Sequence, residues 1–189
     1  MYKRPFPIIL ASQSPRRQEL LSAMDLDFRV QLKEVEETYP EGLEPAEIAV
    51  YIAEKKALAF VDERVQNLVI TADTIVAYKG EIMGKPAGPE QAREMLTKLS
   101  GTKHEVYTGV CLAHRQQVIS FYDVTEVFFK AVTAAQIDYY IENYNPFDKA
   151  GAYGVQDWIG FIAVEKIVGS YTNVMGLPTE KLYTALSNF

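Results

Sequence analysis

The chain contains little cysteine, histidine and tryptophan. Its 189 residues include one cysteine, Cys111, two histidines and one tryptophan. A single cysteine cannot form a disulfide within the chain or build a cysteine-rich zinc site, and such sparing use is typical of a reducing compartment. We therefore expect a cytoplasmic protein in which Cys111 is a small buried hydrophobe. His104 and His114 lie in predicted strands, and we interpret both as surface or core residues and not as metal ligands.

Long hydrophobic runs are also absent. The N-terminal apolar stretch is broken by Pro5 and Pro7 and is too short for a signal peptide, and no stretch is long enough to cross a membrane. The net charge of −6 argues against general coating of nucleic acid, so any site for a polyanion must be a local basic cluster. We therefore expect neither a membrane nor a nucleic acid as partner. A hydrophobic content of 48% is ordinary for a globular protein with a substantial core.

Strand and helix patterns alternate along the chain, which predicts an α/β fold. No repeat or flexible linker separates them. The predicted strands are 6–11, 28–33, 69–77, 81–83, 104–113, 117–130 and 161–167. The predicted helices are 14–24, 45–61, 89–99, a helix opened by a capping box at Thr133 and ending before Pro146, and 178–186.

Two arginines occupy the start of the first predicted helix. Ser14 is a favourable N-cap and Pro15 fits the first helical position, so Arg16 and Arg17 fall in the first turn. The N-terminal end of a helix is electropositive, so two cations there are unfavourable unless an anion binds. Together with the hydroxyl of Ser12, the guanidinium groups and free N–H groups would suit phosphate oxygens. The alternative, that both arginines point into solvent, is equally acceptable for these residues alone.

Asp73 interrupts an apolar run, Leu68–Ala77, that otherwise predicts a central strand. A carboxylate buried there costs about 3 kcal/mol or more unless it is paired, hydrogen-bonded or bound to a metal. A structural aspartate satisfied by backbone N–H groups is one interpretation. We favour a functional one, because Thr71 and Thr74 add polar groups to the same strand. Such a carboxylate could hold a divalent cation or accept a proton from an attacking water.

Lys56 lies in the apolar stripe of its predicted helix, one turn after Ile52 and one turn before Phe60. Its stem could snorkel to solvent. Alternatively, its ammonium group could bind an anionic partner such as Asp73, Glu37 or a substrate phosphate. The sequence pattern leaves both alternatives open.

An acidic segment with Glu34, Glu36 and Glu37 follows the second predicted strand. Taken alone, it is best interpreted as a solvated loop. Paired with Asp73, one of its carboxylates could complete a site in which oxygen ligands and water hold magnesium.

Six segments, taken in order, resemble the Maf family of nucleoside triphosphate pyrophosphatases. They are Ser12-Gln-Ser-Pro-Arg-Arg17, Ala72-Asp-Thr-Ile-Val76, Gly84-Lys-Pro86, Tyr107-Thr-Gly109, Asp148-Lys-Ala-Gly-Ala-Tyr-Gly-Val-Gln156 and Gly169-Ser-Tyr-Thr-Asn-Val-Met-Gly-Leu-Pro178. The resemblance spans the chain from about Ile8 to Phe189. Each motif is short, but their joint order and spacing make chance agreement implausible.

The resemblance implies one Maf-like domain over residues 1–189. Its fold would be a mixed twisted sheet flanked by helices, in two lobes with a central cleft, as in the inosine-triphosphate pyrophosphatases. The implied reaction is direct attack of water on a nucleoside triphosphate, which yields the monophosphate and pyrophosphate, with Mg²⁺ first and Mn²⁺ second as the cation. The resemblance also suggests a homodimer. In the implied site, Asp73 is the catalytic proton acceptor, and the metal ligands are Glu37 and Asp73. Substrate choice is assigned to Arg16, Thr74 and Gln156. The residues that line the cleft are Ser12, Arg17, Lys56 and Lys85.

The segment that ends at Gln156 resembles the branch acting on dTTP and UTP. A glutamine amide has a donor and an acceptor with which to bind a pyrimidine edge. In this chain Asp157 and Trp158 follow, where many relatives have a small or flexible residue; Trp158 could pack or cap the base pocket. Two alternatives differ from this expectation. One is the branch acting on 7-methyl-GTP, and the other is a nucleotide-responsive binding protein that acts in septum formation.

Overall fold

In the computed structural model, which describes residues 6–189, seven strands and seven α-helices follow one another along the chain. The strands are β1 (Ile8–Leu10), β2 (Phe28–Val30), β3 (Leu68–Tyr78), β4 (Glu81–Met83), β5 (Lys103–His114), β6 (Gln117–Phe129) and β7 (Val164–Val168). The helices are α1 (Pro15–Ala23), α2 (Pro45–Leu58), α3 (Pro89–Leu99), α4 (Ala134–Tyr144), α5 (Trp158–Ala163), α6 (Tyr171–Met175) and α7 (Thr179–Leu186).

The strands form one mixed sheet in the order β2-β1-β3-β5-β6-β7, with β4 paired to β3. β1 runs parallel to both β2 and β3, whereas β4 is antiparallel to β3 and β7 is antiparallel to β6. The predicted α/β fold with a mixed sheet flanked by helices is therefore confirmed. None of the helices between residues 6 and 189 combines the length and apolar character that a membrane crossing requires.

Every predicted strand and helix has a counterpart, but β2 ends at Val30 and α2 at Leu58, three residues before their predicted ends. Residues 161–163, predicted as the start of a strand, end helix α5 instead, and β7 begins at Val164. Helices α5 and α6 were not predicted, because each is shorter than the window over which helical periodicity can be recognised. Pro5, which argued above against a signal peptide, lies outside the described residues.

The chain divides into two compact units. The first contains the described chain through Asp73 together with Thr108–Asp123 and Gly176–Phe189, and the second contains Thr74–Tyr107 and Val124–Met175. The prediction of one Maf-like domain with a central cleft stays a prediction.

In the first unit, helix α2 lies unusually close to strand β5. Small side chains, Ala53 and Ala57 on the helix and Cys111 and Ala113 on the strand, form the contact. At Gly109 a Cβ atom would stand 2.3 Å from the backbone of Ala49, so only glycine permits this approach. Cys111 is buried as predicted, and burial raises the pKa of its thiol.

In the second unit, an aromatic cluster contains His104, Phe129 and Tyr153. The three rings contact one another edge to face, with centroids 4.9 to 5.3 Å apart. His104 Nε2 lies 2.7 Å from the hydroxyl of Tyr153. His104 is thus a core residue, in agreement with its interpretation from the sequence.

Candidate active site

Parallel pairing of β1 with β3 brings Ser12 toward Asp73 in the first unit. Leu10 pairs with Ile70, and the N–H of Ala11 donates to the carbonyl of Ile70 at 2.9 Å. The chain therefore leaves β1 beside the middle of β3, where Ser12 and Asp73 are both buried. Loops after parallel strands are a frequent place for ligand sites in α/β proteins.

Helix α1 begins where it was predicted, but without the expected cap. Ser14 occupies the N-cap position and Pro15 the first helical position, yet the Ser14 side chain makes no capping hydrogen bond. The backbone N–H of Ser14 instead donates to Oγ of Ser12 at 3.3 Å. The hydroxyl of Ser12 therefore stabilises the turn that precedes Arg16 and Arg17.

Arg17 is directed into the protein. Its Nε donates to the carbonyl of Gly176 at 2.8 Å, and its Nη1 donates to the carbonyl of Ala72 at 3.0 Å and to Oγ of Ser12 at 3.2 Å. Burial lowers the pKa of the Arg17 guanidinium; the charges of Asp73 and Glu37 oppose this shift, and that of Arg16 adds to it. The alternative in which both arginines point into solvent is wrong for Arg17.

Lys56 bridges two carboxylates. Its Nζ lies 2.8 Å from Oδ1 of Asp73 and 2.8 Å from Oε1 of Glu37. The Lys56 side chain is 15% exposed and that of Asp73 is 9% exposed, so this ion pair is largely withdrawn from water. Lys56 therefore binds anionic partners, as one of the two alternatives predicted. Of the three glutamates considered, Glu37 is the one that shares Lys56 with Asp73.

The same pair of carboxylates fits a hard divalent cation. Glu37 and Asp73 each place one carboxylate oxygen 2.8 Å from Nζ of Lys56, and carboxylate oxygens are the ligands that hard divalent cations prefer. In the described part of the chain, no three histidine, cysteine, aspartate or glutamate side chains come together as a metal cage. A cation held by Glu37 and Asp73 would therefore complete its shell with water and substrate phosphate, as magnesium usually does.

Three predicted site residues belong to the second unit. Thr74 follows Asp73 directly in β3, so the two side chains leave opposite faces of the strand. Lys85 is exposed in the loop after β4. This loop is bonded to the segment that ends at Gln156, because the N–H of Gly151 donates to the carbonyl of Gly84 at 3.1 Å.

Asp157 joins several polar groups near Gln156, and sequence reasoning missed this role. Its Oδ1 accepts from Nε2 of Gln156 at 3.2 Å, and its Oδ2 accepts from the hydroxyl of Tyr140 at 2.7 Å. Nζ of Lys149 lies 3.6 Å from the same Oδ2. Tyr140 is fully buried, and its hydroxyl binds Asp157.

Trp158 has a packing role in the structure. Its ring lies 4.8 Å from that of Tyr139 and 6.5 Å from that of Tyr144, measured between centroids. This agrees with the packing interpretation; a cap over a base stays a prediction.

The last predicted motif forms a buried polar network. Asn173 is fully buried, and its Nδ2 donates to the carbonyl of Val106 at 3.0 Å and to Oγ1 of Thr125 at 2.9 Å. The N–H of Ser170 also donates to Thr125 Oγ1, at 3.1 Å. The part of this motif that lies in the second unit therefore has a structural explanation.

The structure brings two groups of predicted residues together, one in each unit. In the first unit they are Ser12, Arg16, Arg17, Glu37, Lys56 and Asp73, linked by the hydrogen bonds, ion pairs and charge effects given above. In the second unit, the loop of Lys85 and the segment of Gln156 are joined through backbone. The catalytic, metal-binding and specificity roles of these residues stay predictions.

Comparisons with known proteins agree with the motifs. The chain matches the Maf-like protein family over residues 7–189. It is 54% identical to a dTTP/UTP pyrophosphatase of Phocaeicola vulgatus, with 96% of this chain and 95% of the relative covered. It is 50% identical to a dTTP/UTP pyrophosphatase of Flavobacterium johnsoniae, with 97% of this chain and 95% of the relative covered. A HAM1 protein from Coxiella burnetii shares the fold at 17% identity, with a TM-score of 0.51 over 97% of this chain and 100% of that chain. The present chain therefore belongs to the Maf family, as shown by its motifs, by the family match over residues 7–189 and by the relatives that share half of its residues.

Proposed function

We propose that the chain hydrolyses nucleoside triphosphates, above all dTTP and UTP, to the monophosphate and pyrophosphate. The observation that carries the proposal is the nearly buried Asp73 carboxylate, held by Lys56 beside Arg17, in a chain half-identical to proteins named dTTP/UTP pyrophosphatase. An ion pair with a lysine would also suit a structural aspartate, so the functional assignment rests on this pair together with the match to these relatives. The chain is thus a nucleoside triphosphate pyrophosphatase.

In the proposed reaction a water oxygen attacks the α-phosphorus, the bond to the β-phosphate oxygen breaks, and pyrophosphate leaves. Oδ1 of Asp73 is bound to Lys56, so its other oxygen, Oδ2, is the atom that accepts the proton of the water. Lys56 fixes the direction of the carboxylate and adds positive charge near the phosphates. The guanidinium groups of Arg16 and Arg17 make the local positive region that a triphosphate requires, and the hydroxyl of Ser12 adds a neutral hydrogen-bonding group.

A divalent cation belongs to the proposal, with Mg²⁺ first and Mn²⁺ second. Glu37 and Asp73 are the residues that would hold it. When bound, such a cation would neutralise charge on the phosphates and stabilise pyrophosphate as leaving group.

We propose Arg16, Thr74 and Gln156 for nucleotide choice, and Lys85 as one of the residues that line the cleft. Lys85 would contact phosphate, and Gln156 would contact the base through its amide. The proposal also includes a cytoplasmic location and a homodimer, without membrane or nucleic-acid partners. Light scattering on the purified protein would test the dimer directly.

The test is a panel of triphosphates incubated with magnesium: dTTP, UTP, CTP, dATP, GTP and 7-methyl-GTP. Pyrophosphate and monophosphate are measured for the wild type, for Asp73→Asn and for Asp62→Asn, which alters an exposed aspartate as a matched control. We expect dTTP and UTP to be hydrolysed fastest, with a loss of about 10²- to 10⁴-fold in Asp73→Asn only. Preference for 7-methyl-GTP would overturn the substrate assignment. No pyrophosphate from any triphosphate, with binding retained in Asp73→Asn, would favour the nucleotide-responsive binding protein.

A further inference from the structure

The amide of Gln156 is held by one end only. Its Nε2 donates to Oδ1 of Asp157 at 3.2 Å, whereas its Oε1 is covered and has no hydrogen-bond partner among residues 6–189. A covered acceptor without a donor is rare in proteins and requires an explanation. Gln156 as a residue is partly exposed, whereas its Oε1 is covered, so a ligand reaches this atom only after the groups that cover it shift. A ligand donor that reaches Oε1 would displace no hydrogen bond of this atom within the described protein.

Asp157 is itself fixed in place. The N–H of Gly154 donates to the hydroxyl of Tyr140 at 3.1 Å, and that hydroxyl donates to Oδ2 of Asp157 at 2.7 Å. The ammonium group of Lys149 lies 3.6 Å from the same oxygen. At Gly154 a Cβ atom would stand 2.6 Å from Oδ2 of Asp157, so the backbone also confines the carboxylate. Oδ1 is thereby directed to Gln156.

A carboxylate accepts hydrogen bonds and donates none, whereas a glutamine amide has a donor end and an acceptor end. Asp157 can therefore bind only the Nε2 end of Gln156. We propose that Asp157 is a positioning residue that fixes the direction of the Gln156 amide, so that Oε1 is the end presented to a base with an N–H donor. This inference rests on the proposed function, which it deepens.

The direction of the Gln156 amide determines which pyrimidine bases can form a hydrogen bond with it. Uracil and thymine carry an N–H at ring position N3, whereas cytosine carries a lone pair there. When Oε1 faces the base, the N3–H of uracil or thymine can donate a hydrogen bond to it. Cytosine would instead place its N3 lone pair, an acceptor, against the acceptor Oε1. We expect this difference to contribute roughly 10- to 100-fold to the kcat/KM ratio of UTP over CTP.

The decisive variant is Asp157→Asn, which keeps the shape of the side chain but adds an amide donor. The new amide can donate to Oε1 of Gln156, which lets the Gln156 amide turn over and present Nε2 to the base. We expect the UTP-to-CTP ratio of kcat/KM to fall at least tenfold, mostly through KM, with kcat for UTP within about threefold of wild type. Loss of activity on both substrates with an unchanged ratio would show a merely structural role and overturn the proposal.

A second variant covers the case in which Asp157→Asn does not fold. Tyr140→Phe removes the hydroxyl that holds Oδ2 but keeps the ring and the carboxylate, and we expect a smaller fall of the same ratio, about threefold. An unchanged ratio in folded Tyr140→Phe would then contradict the proposal.

Measurements on the wild-type protein distinguish failure of this inference from failure of the proposed function. Hydrolysis of UTP by the wild type with unaltered ratios in the variants overturns this inference alone, whereas no hydrolysis of any triphosphate overturns the proposed function.

Discussion

At the scale of single residues, Arg17 connects three parts of the chain that are distant in sequence. One guanidinium bonds Ser12, the strand carbonyl of Ala72 next to Asp73, and the carbonyl of Gly176. A planar fork with five N–H donors can satisfy acceptors in several directions at once, which an ammonium group on a flexible stem cannot do with the same geometry. Arg17 therefore stabilises the first unit in addition to any contact with phosphate.

We expect Arg17→Lys to lower the free energy of unfolding by about 1–3 kcal/mol, because one ammonium nitrogen cannot reach all three acceptors and some are left without a donor. Arg29→Lys, at an exposed arginine of β2, is the control and should change stability by less than about 0.5 kcal/mol. Urea denaturation followed by circular dichroism measures both. Equal stability of the two variants would contradict the bracing role of Arg17.

Lys56 is the second residue whose charge has a measurable consequence. In Lys56→Met the carboxylates of Glu37 and Asp73 lose the cation that separates them, so the free energy of unfolding should fall by about 2 kcal/mol. Magnesium or manganese should raise the Tm of this variant more than that of the wild type, because the cation replaces the missing positive charge. Thermal scans with and without cation check this. A Tm of Lys56→Met that does not respond to either cation would contradict the placement of a cation at this pair.

At the scale of elements, the position of Lys56 depends on how closely helix α2 approaches the sheet. Thr71 in β3 donates through Oγ1 to the carbonyl of Ala53 in α2 at 2.6 Å, and Gly109 in β5 leaves room for the backbone at Ala49. The glycine of the tyrosine-threonine-glycine motif is thus explained by the close contact of helix and sheet. Any side chain at position 109 would push the helix, and Lys56 with it, away from Asp73.

We expect Gly109→Ala to destabilise the protein by about 1–3 kcal/mol, because the added methyl group overlaps backbone that must shift. Gly84→Ala is the control, since a Cβ there meets nothing within 4 Å. Comparison of the two by chemical denaturation isolates the steric effect from the general effect of replacing glycine. If both variants lose the same stability, close packing at Gly109 is not the cause.

The elements that could be predicted are those with local signals. Helix α3 begins and ends where proline and a serine-glycine pair predict it, and the capping box at Thr133 is present with both of its hydrogen bonds. Helix α5 gave no such signal: it has six residues, with Gly160 in the middle and mostly apolar neighbours. Gly160 is needed there because a Cβ atom would stand 2.0 Å from the carbonyl oxygen of Val155. This contact depends on the path of the turn that enters the helix, which residue propensities do not reveal.

For the candidate site, the predictable residues were those that conflict with their surroundings. Asp73 in an apolar strand and Lys56 in an apolar stripe each require a partner, and the structure makes them partners of one another. The link between Gln156 and Asp157 could not be predicted in the same way. It depends on a hydroxyl at Tyr140, seventeen positions from Asp157, and on the absence of a Cβ at Gly154.

At the scale of the whole molecule, the stability of the fold depends on pH through His104. Burial lowers its pKa from 6.5 to about 4, so the folded protein keeps the ring neutral where the unfolded chain binds a proton. Stability is therefore lost as the pH falls from about 6.5 toward 4. The loss should reach on the order of 3 kcal/mol over this range.

His104→Phe removes the titrating group and keeps a ring beside Phe129. We expect it to be less stable than wild type at pH 7, because Tyr153 loses its hydrogen-bond partner, but to show a flatter decline in stability between pH 6.5 and 4. Urea denaturation at several pH values measures the slope for both proteins. Parallel slopes would show that other groups dominate the acid sensitivity.

The route of the chain between the two units limits how the protein can be recombined. It passes between them after Asp73, Tyr107, Asp123 and Met175, and the first three crossings fall inside strands β3, β5 and β6. A chimera that exchanges the second unit with that of a relative would therefore need its junctions within hydrogen-bonded strands, where register must be kept residue by residue. Base preference in this protein is consequently easier to alter by point substitution than by exchange of modules. Insertion of foreign sequence belongs instead at turns such as Lys79-Gly80, where the chain is exposed.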